Sequence, residues 1–269
     1  MDLEPMLDML SLRVPHSDSE YIGDDGLRHC SVCHRKTQTR INFLGKEKVV
    51  NCICDCKKAE MEAERKAKEA SARRDRCFDT PAMHKWTFEN DDRSDEKISD
   101  AMRRYADKFD EFLKMGKGLL LFGNVGTGKT YYAACIANRL IDNGYRVKMT
   151  NFARMTNHLQ GIWEGKNEYI DELCSYPLII IDDLGAERKS EYMQEIIFNI
   201  IDSRYRTGLP FIITTNLTKE QITKPDDISY ARIYDRILER CFPVKIEGES
   251  RRRRELKESH ADIKSALGL

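Results

Sequence analysis

No stretch of the chain approaches the roughly 20 uninterrupted apolar residues that a membrane-crossing helix needs. A net charge is missing as well, since 45 Lys and Arg balance 45 Asp and Glu. Overall charge therefore makes no case for a nucleic-acid or lipid partner, and any such case has to be local. The opening stretch, MDLEPMLDMLSLRVPHSDSE, lacks the basic start and long apolar run of a secretory signal. The expectation is a cytoplasmic protein with no membrane partner. There is no internal repeat and no low-complexity tract. What the chain does have is length for one sizeable domain plus a smaller one, with 41% hydrophobic and 33% charged residues. It also has 9 cysteines, which a reducing compartment would keep as core thiols or metal ligands instead of disulfides.

Three parts are expected. Residues 1–56 hold the cysteine-rich segment and little continuous apolar pattern. Residues 57–77, KKAEMEAERKAKEASARRDRC, have no Gly or Pro and favour a helix with almost no apolar face. That helix is either a solvated spacer or one whose basic side meets a partner. Residues 78–269 begin with a lead-in containing WTFEN and a helix at about 95–115. From Gly118 short apolar runs alternate with helical patterns: GLLLF, YRVKMT, LIIID, PFIITTN and FPVKIEG, separated by helices starting near Lys129, Ala153, Glu191 and Tyr230. Five such runs imply an α/β fold, a parallel sheet covered by helices on both faces.

The run GLLLF leads into Gly123-Asn124-Val125-Gly126-Thr127-Gly128-Lys129-Thr130, which fits the phosphate-loop pattern G-x-x-x-x-G-K-[ST] without adjustment. Glycines let the backbone curl so that N–H groups point at phosphate oxygens, and the following helix offers its positive end to the same anion. Lys129 is expected to reach the β- and γ-phosphates of ATP, and the Thr130 hydroxyl to help hold Mg²⁺. About fifty residues on, LIIIDDLG delivers Asp182 and Asp183 to the C-terminal end of a buried strand, where parallel sheets bind ligands. Asp182 would orient Mg²⁺ and Asp183 would act as general base on water. Asn216, ending FIITTN, is either an ordinary turn residue or a holder of that water.

These motifs, in this order and spacing, resemble the AAA+ ATPases. More narrowly they look like the bacterial and phage replicative helicase loaders of the DnaC/DnaI type, with the IstB transposition ATPases related. The resemblance covers residues ~78–255 and rests on FGNVGTGKTYYAACIANRLIDNGYRV, LIIIDDLG, FIITTNLT and YARIYDRILERC. It implies a P-loop NTPase sheet without the full helical lid of larger AAA+ proteins, since few residues follow the last strand. Asp183 stands where most AAA+ members carry Glu. The loader group shares this Asp, and the shorter carboxylate suits slow ATP hydrolysis by a switch. Arg232, Arg236 and Arg240 repeat along one helix face. The resemblance makes Arg236 the residue that completes a neighbouring copy's site, with Arg232 second, against the alternative of a basic face paired with Asp235 and Glu239. In EGESRRRRELKES it places a cis arginine on Arg252, with Arg251, Arg253 and Arg254 adjoining, against the alternative of a solvated or DNA-facing basic run.

Cys30 and Cys33 form a C-x-x-C turn, and Cys52, Cys54 and Cys56 follow some twenty residues later. Two such groups close a tetrahedron around zinc, leaving one thiol spare, while iron–sulfur ligation lacks the ferredoxin spacing. CDCKKAE resembles the second metal half of phage loaders, which favours Cys54 and Cys56 and makes Cys52 the alternative ligand. His29 and His34 are weaker candidates. Cys77, Cys135, Cys174 and Cys241 read as core residues. A module this small depends on its metal to fold.

The resemblance implies an ATP-dependent loader with ATP, Mg²⁺ and Zn²⁺ as cofactors. Its partners would be the hexameric replicative helicase, gripped by the N-terminal module, single-stranded DNA, and further copies of itself through the ATP site. Phe152 and Trp163 are either core residues or a stacking platform for that strand. The competing expectations are an IstB-like ATPase serving a transposase and an ATP-binding adaptor that does not hydrolyse. A small-molecule kinase would need an acceptor lid that no segment offers.

Overall fold

A computed structural model describes residues 19–186, 190–225 and 227–251 and positions 256, 263, 264, 266 and 267. The chain divides into two compact units, Met1–Glu69 and Ala70–Leu269.

In the first unit, β1 (Glu20–Ile22) pairs antiparallel with β2 (Arg28–Cys30), and β3 (Gln38–Phe43) with β4 (Lys46–Asn51). The β3–β4 turn is Leu44-Gly45, with φ of 52° and 79°. Positive φ at both central residues matches the right-handed twist of a two-residue hairpin, and Leu is an unusual choice for it. Only Leu27, Cys30, Thr37 and Cys54 are buried among the described residues of this unit. So small a core does not stabilise a fold unaided. α1 (Asp55–Cys77) starts in this unit and ends in the second. Its exposed surface is laced by Arg65, which reaches Glu62 at 2.8 Å and Glu69 at 2.6 Å, pairs that support a helix lacking an apolar face.

The second unit opens with a 3₁₀ turn (Pro81–Lys85), then α2 (Glu96–Asp107), N-capped by the Asp95 carboxylate accepting from Ile98 N–H, and α3 (Phe109–Met115). The single helix expected at 95–115 is thus two, because the backbone at Lys108 leaves helical geometry (φ −103°, ψ 22°). No Gly or Pro marks that break. The sheet then follows, with β5 (Gly118–Phe122), α4 (Lys129–Asp142), β6 (Val147–Asn151), α5 (Phe152–Gly161) and α6 (Lys166–Cys174) in chain order. β7 (Leu178–Leu184), α7 (Glu191–Thr207), β8 (Phe211–Thr215), α8 (Lys219–Thr223), α9 (Ile228–Arg240) and β9 (Cys241–Lys245) complete it.

All five strands are parallel, in the order β6-β7-β8-β5-β9, as the five apolar runs predict. Alternation of side chains fills two cores. Leu119, Leu121, Ile180 and Ile212 join the core that includes α2 and α4, while Leu120, Ile179, Ile181 and Ile213 join that of α5, α7 and α9. Burial on both faces explains why β5 and β8 are apolar and buried at every position but the Thr214-Thr215 tip of β8, which is buried too. The order places β8 between β7 and β5, so three adjacent strand tips open at the C-terminal end of the sheet.

The opposite end of these strands is held by Arg204 of α7, which is fully buried. Its guanidinium donates to the carbonyls of Cys174 (2.6 Å), Tyr176 (2.7 Å), Pro177 (3.2 Å) and Pro210 (2.5 Å), fastening the entries to β7 and β8. Burial pulls its pKa down to about 10, which still leaves it charged at neutral pH. Arg204→Met should therefore strand four carbonyls and lower unfolding stability by about 3–5 kcal/mol. Urea unfolding measures it, and a loss under about 1 kcal/mol would show that the clamp is dispensable.

Candidate functional site

The site begins where β5 ends. Gly123, Gly126 and Gly128 adopt φ of 146°, 83° and 100°, left-handed conformations that cost a side-chain-bearing residue dearly. Space makes the same demand: a Cβ on Gly123 would stand 2.2 Å from the Ile246 carbonyl oxygen, and one on Gly126 2.1 Å from Ser250 Oγ. Gly128 is the N-cap of α4 and supplies no side-chain cap, so the first N–H groups of that helix are left for an anion. Lys129 is buried, and its Nζ donates to the carbonyls of Gly123 (2.9 Å) and Asn124 (2.6 Å). The Thr127 hydroxyl donates to the Asn124 carbonyl at 3.0 Å. The loop is therefore curled around its own lysine.

Asp182 joins the tips of β7 and β8 to the start of α4. Its Oδ1 accepts from Thr130 Oγ1 at the start of α4 (2.9 Å) and from Thr214 Oγ1 on β8 (2.6 Å). Burial raises its pKa above the usual carboxylate value, and the threonine hydrogen bonds and Lys129 offset part of that. The next residue, Asp183, has φ of 62°, a conformation rare outside glycine, asparagine and aspartate. The β7–β8 register slips between Ile181 and Leu184, a bulge that re-aims the two carboxylates. Asp183 is fixed there by its N–H donating to Thr214 Oγ1 (2.9 Å) and by Asn216 Nδ2 donating to its Oδ1 (2.9 Å).

These groups share one cleft of about 610 Å³. Lys129, Thr130, Asp182, Asp183, Thr214 and Asn216 line its polar end. Met83, Trp86 and Tyr131 line another part of the wall, with the Trp86 and Tyr131 rings 5.9 Å apart. A cleft pairing charged groups with an aromatic wall suits a phosphorylated ring compound such as a nucleotide. The aromatic wall escaped sequence reading because Trp86 and Tyr131 lie far apart in the chain and each alone reads as core. Thr214 was equally hidden, as a strand residue before the more conspicuous Asn216.

Arg252 lies outside the described residues. Its neighbour Arg251 lines the cleft, and the Arg251 N–H donates to the Gly126 carbonyl at 2.9 Å. Arg236 stands elsewhere, on α9. Its Nε donates to Asp202 at 2.9 Å and its Nη1 to the Arg232 carbonyl at 3.0 Å, and the guanidinium lies over Phe198 and Tyr205. Arg232 is exposed above Phe198, and Arg240 lies over Tyr205. The pairing of this arginine face is with α7 instead of with Asp235, and Tyr205 takes up Glu239 at 2.8 Å. Phe152 is buried in the core and available to no strand of nucleic acid, whereas Trp163 is 98% exposed.

In the first unit the sulfurs of Cys30, Cys33, Cys54 and Cys56 lie within 4.8 Å of one another, with Cys30–Cys56 at 3.3 Å and Cys54–Cys56 at 3.2 Å. A tetrahedral zinc with ~2.3 Å bonds spaces its sulfurs by about 3.8 Å, so the set fits that ion. Cys52 stands apart, its thiol donating to the Lys36 carbonyl at 3.4 Å. His29 is committed too, with Nε2 on Asp25 (3.0 Å) and Nδ1 beside the His34 carbonyl (3.3 Å). His34 faces the Tyr21 hydroxyl at 3.3 Å. Cys77, Cys135, Cys174 and Cys241 are buried in the second unit.

The model of the IstB-like ATP binding protein family matches residues 33–259. The chain is 30% identical over 151 residues to the replicative helicase loader DnaI of Bacillus subtilis (strain 168), covering 51% of this chain and 48% of the relative. It is 31% identical over 157 residues to a putative insertion sequence ATP-binding protein of Sinorhizobium fredii (strain NBRC 101917 / NGR234), covering 56% and 51%. A crystal structure of DnaI matches with a TM-score of 0.55 at 27% identity, over 65% of this chain and 95% of that one. The chain spans about half the length of the curated relatives it matches. The fold is the α/β sheet of P-loop AAA+ proteins. With the match running from Cys33 through the phosphate loop to the far side of the arginine-rich stretch, the chain belongs to the IstB-like ATP-binding protein family.

Proposed function

We propose that this protein binds and slowly hydrolyses ATP in order to place a ring-shaped replicative DNA helicase on single-stranded DNA. The observation that carries the reading is the convergence of Lys129, Asp182, Asp183 and Asn216 on one cleft at adjacent strand tips. Lys129 would exchange the Gly123 and Asn124 carbonyls for the β- and γ-phosphates, while the amides of residues 123–130 close on the same anion. Thr130 and Asp182 would hold Mg²⁺, which supplies charge neutralisation on the phosphates. Asp183 would accept the proton of the attacking water and Asn216 keeps its carboxylate aimed. Arg251 stands at the rim as the arginine acting within the chain.

Arg236 acts across to a neighbouring copy in this reading, which requires it to leave Asp202. Assembly then competes with an internal ion pair, so a lone chain stays slow. Loader relatives support the helicase as partner, and DNA follows from the same resemblance. The N-terminal module, residues 1–56, would grip the helicase, with 57–77 as its charged connector and 78–269 as the ATPase. The insertion-sequence relative favours a second reading, in which the partner is a transposase. An adaptor that binds ATP without hydrolysis is the remaining alternative.

Mixing tests the core of this reading. Lys129→Ala should abolish ATP binding in a folded chain, and Arg236→Ala should bind ATP but hydrolyse at least tenfold more slowly. Equal mixtures of the two should recover part of the lost phosphate release, because one supplies the intact cleft and the other the arginine. No recovery would exclude Arg236 as a residue acting between copies. Undiminished ATP affinity in Lys129→Ala would exclude the cleft. Pull-down with purified helicase or transposase then separates the two partner readings.

We also propose Zn²⁺ on Cys30, Cys33, Cys54 and Cys56. Purified chain should carry one zinc by elemental analysis, and Cys52→Ser should retain it. Cys54→Ser should lose it and unfold the first unit, since metal binding is folding energy in so small a module. Retained zinc in Cys54→Ser, with loss in Cys52→Ser, would reverse the ligand choice.

A further inference from the structure

The acidic pair Asp91–Asp92 of the lead-in has no part in the chemistry above, yet it abuts the cleft. The Asp91 side chain is fully buried and that of Asp92 is 35% exposed. Each carries an Oδ1 3.1 Å from Nη2 of Arg251. The same nitrogen lies 3.2 Å from Ser94 Oγ and 3.1 Å from Tyr132 Oη. One guanidinium nitrogen has two hydrogens, so four acceptors compete for two donors and no single partner owns the cation. Asp91 Oδ2 is buried without a hydrogen bond, which makes its carboxylate dependent on Arg251 for compensation.

The guanidinium lies over the Tyr131 and Tyr132 rings, 5.0 and 5.2 Å from their centroids. Its other edge faces the phosphate loop, where Arg251 Nε is 3.2 Å from the place a Cβ on Gly128 would occupy. Arg251 is thus held between two carboxylates and the loop expected to receive a polyphosphate. Asp92 also lines the cleft.

We propose that Asp91 and Asp92 are positioning residues for Arg251: Asp91 anchors it, and Asp92 competes with a nucleotide's terminal phosphate for it and so sets the preference of the site for a triphosphate over a diphosphate. This rests on the nucleotide reading given above. Asp91, buried and otherwise unpaired, keeps its hold, and Asp92 is the partner given up. Release of Asp92 then reports the third phosphate to the lead-in before α2.

The test is the ratio of ADP to ATP dissociation constants, measured by titration on the full chain with Mg²⁺ present. Asp92→Asn should tighten ATP by about three- to fivefold, the range of a partly exposed ion pair, and leave ADP nearly unchanged. Ser94→Ala, which removes a neutral acceptor from the same nitrogen, should shift the ratio the same way by less. Asp92→Glu should keep the wild-type ratio. In an Arg251→Gln background, Asp92→Asn should have no effect on the ratio. An unchanged ratio in Asp92→Asn, or a gain that survives Arg251→Gln, overturns the proposal while leaving nucleotide binding intact. A wild-type chain that binds neither nucleotide overturns both readings together.

Discussion

One carboxylate holds the site together. Asp182 accepts hydrogen bonds from Thr130, at the start of α4, and from Thr214, on β8, while its own backbone ends the apolar part of β7. Three elements that meet nowhere else in sequence are thereby fixed at one point. The cost is visible in the raised proton affinity of the group, which burial imposes and the hydroxyls only partly relieve. Two hydroxyls and the nearby charge of Lys129 only partly offset the burial of this anion, and a divalent cation would supply the remainder. The strain at Asp183 belongs to the same arrangement. Its left-handed backbone and the slipped register beside it turn two consecutive carboxylates toward one opening instead of toward opposite faces of the sheet.

The other end of the strands shows the complementary device. There Arg204 satisfies four carbonyls with a single cation, and no carboxylate accompanies it among its hydrogen-bond partners. Polar groups fasten both ends of the central strands while the middle is apolar and faces two cores. The α7–α9 seam adds a third fastening, in which Arg232, Arg236 and Arg240 alternate with Phe198 and Tyr205 around Asp202. Such a ladder gives an arginine helix a structural occupation that it would have to surrender in order to act between copies.

Sequence reading reached the sheet because its strands are buried on both sides and so appear as unbroken apolar runs. The phosphate loop was legible for a different reason: its glycines meet steric demands that few other sequences satisfy. The two N-terminal hairpins were not legible. Their strands are three to six residues long and half-buried or exposed at all but one position, so alternation had almost no burial to reflect. The break at Lys108 carries no Gly or Pro signal. The aromatic wall of Trp86 and Tyr131, and the pairing of Asp91 with a residue 160 positions away, are products of tertiary folding that no local pattern encodes. Among the cysteines, spacing narrowed the set to five, and geometry grouped four and set Cys52 aside.

Lys129 is a cation held in reserve by its own loop. Crystals grown with Mg²⁺ and a non-hydrolysable ATP analogue examine this directly. The expected structure has the triphosphate within residues 123–130, Lys129 Nζ moved from the Gly123 and Asn124 carbonyls to phosphate oxygens, and Asp182 still joined to Thr130. An analogue bound elsewhere, or a Lys129 that keeps both carbonyls with the triphosphate in place, would contradict it.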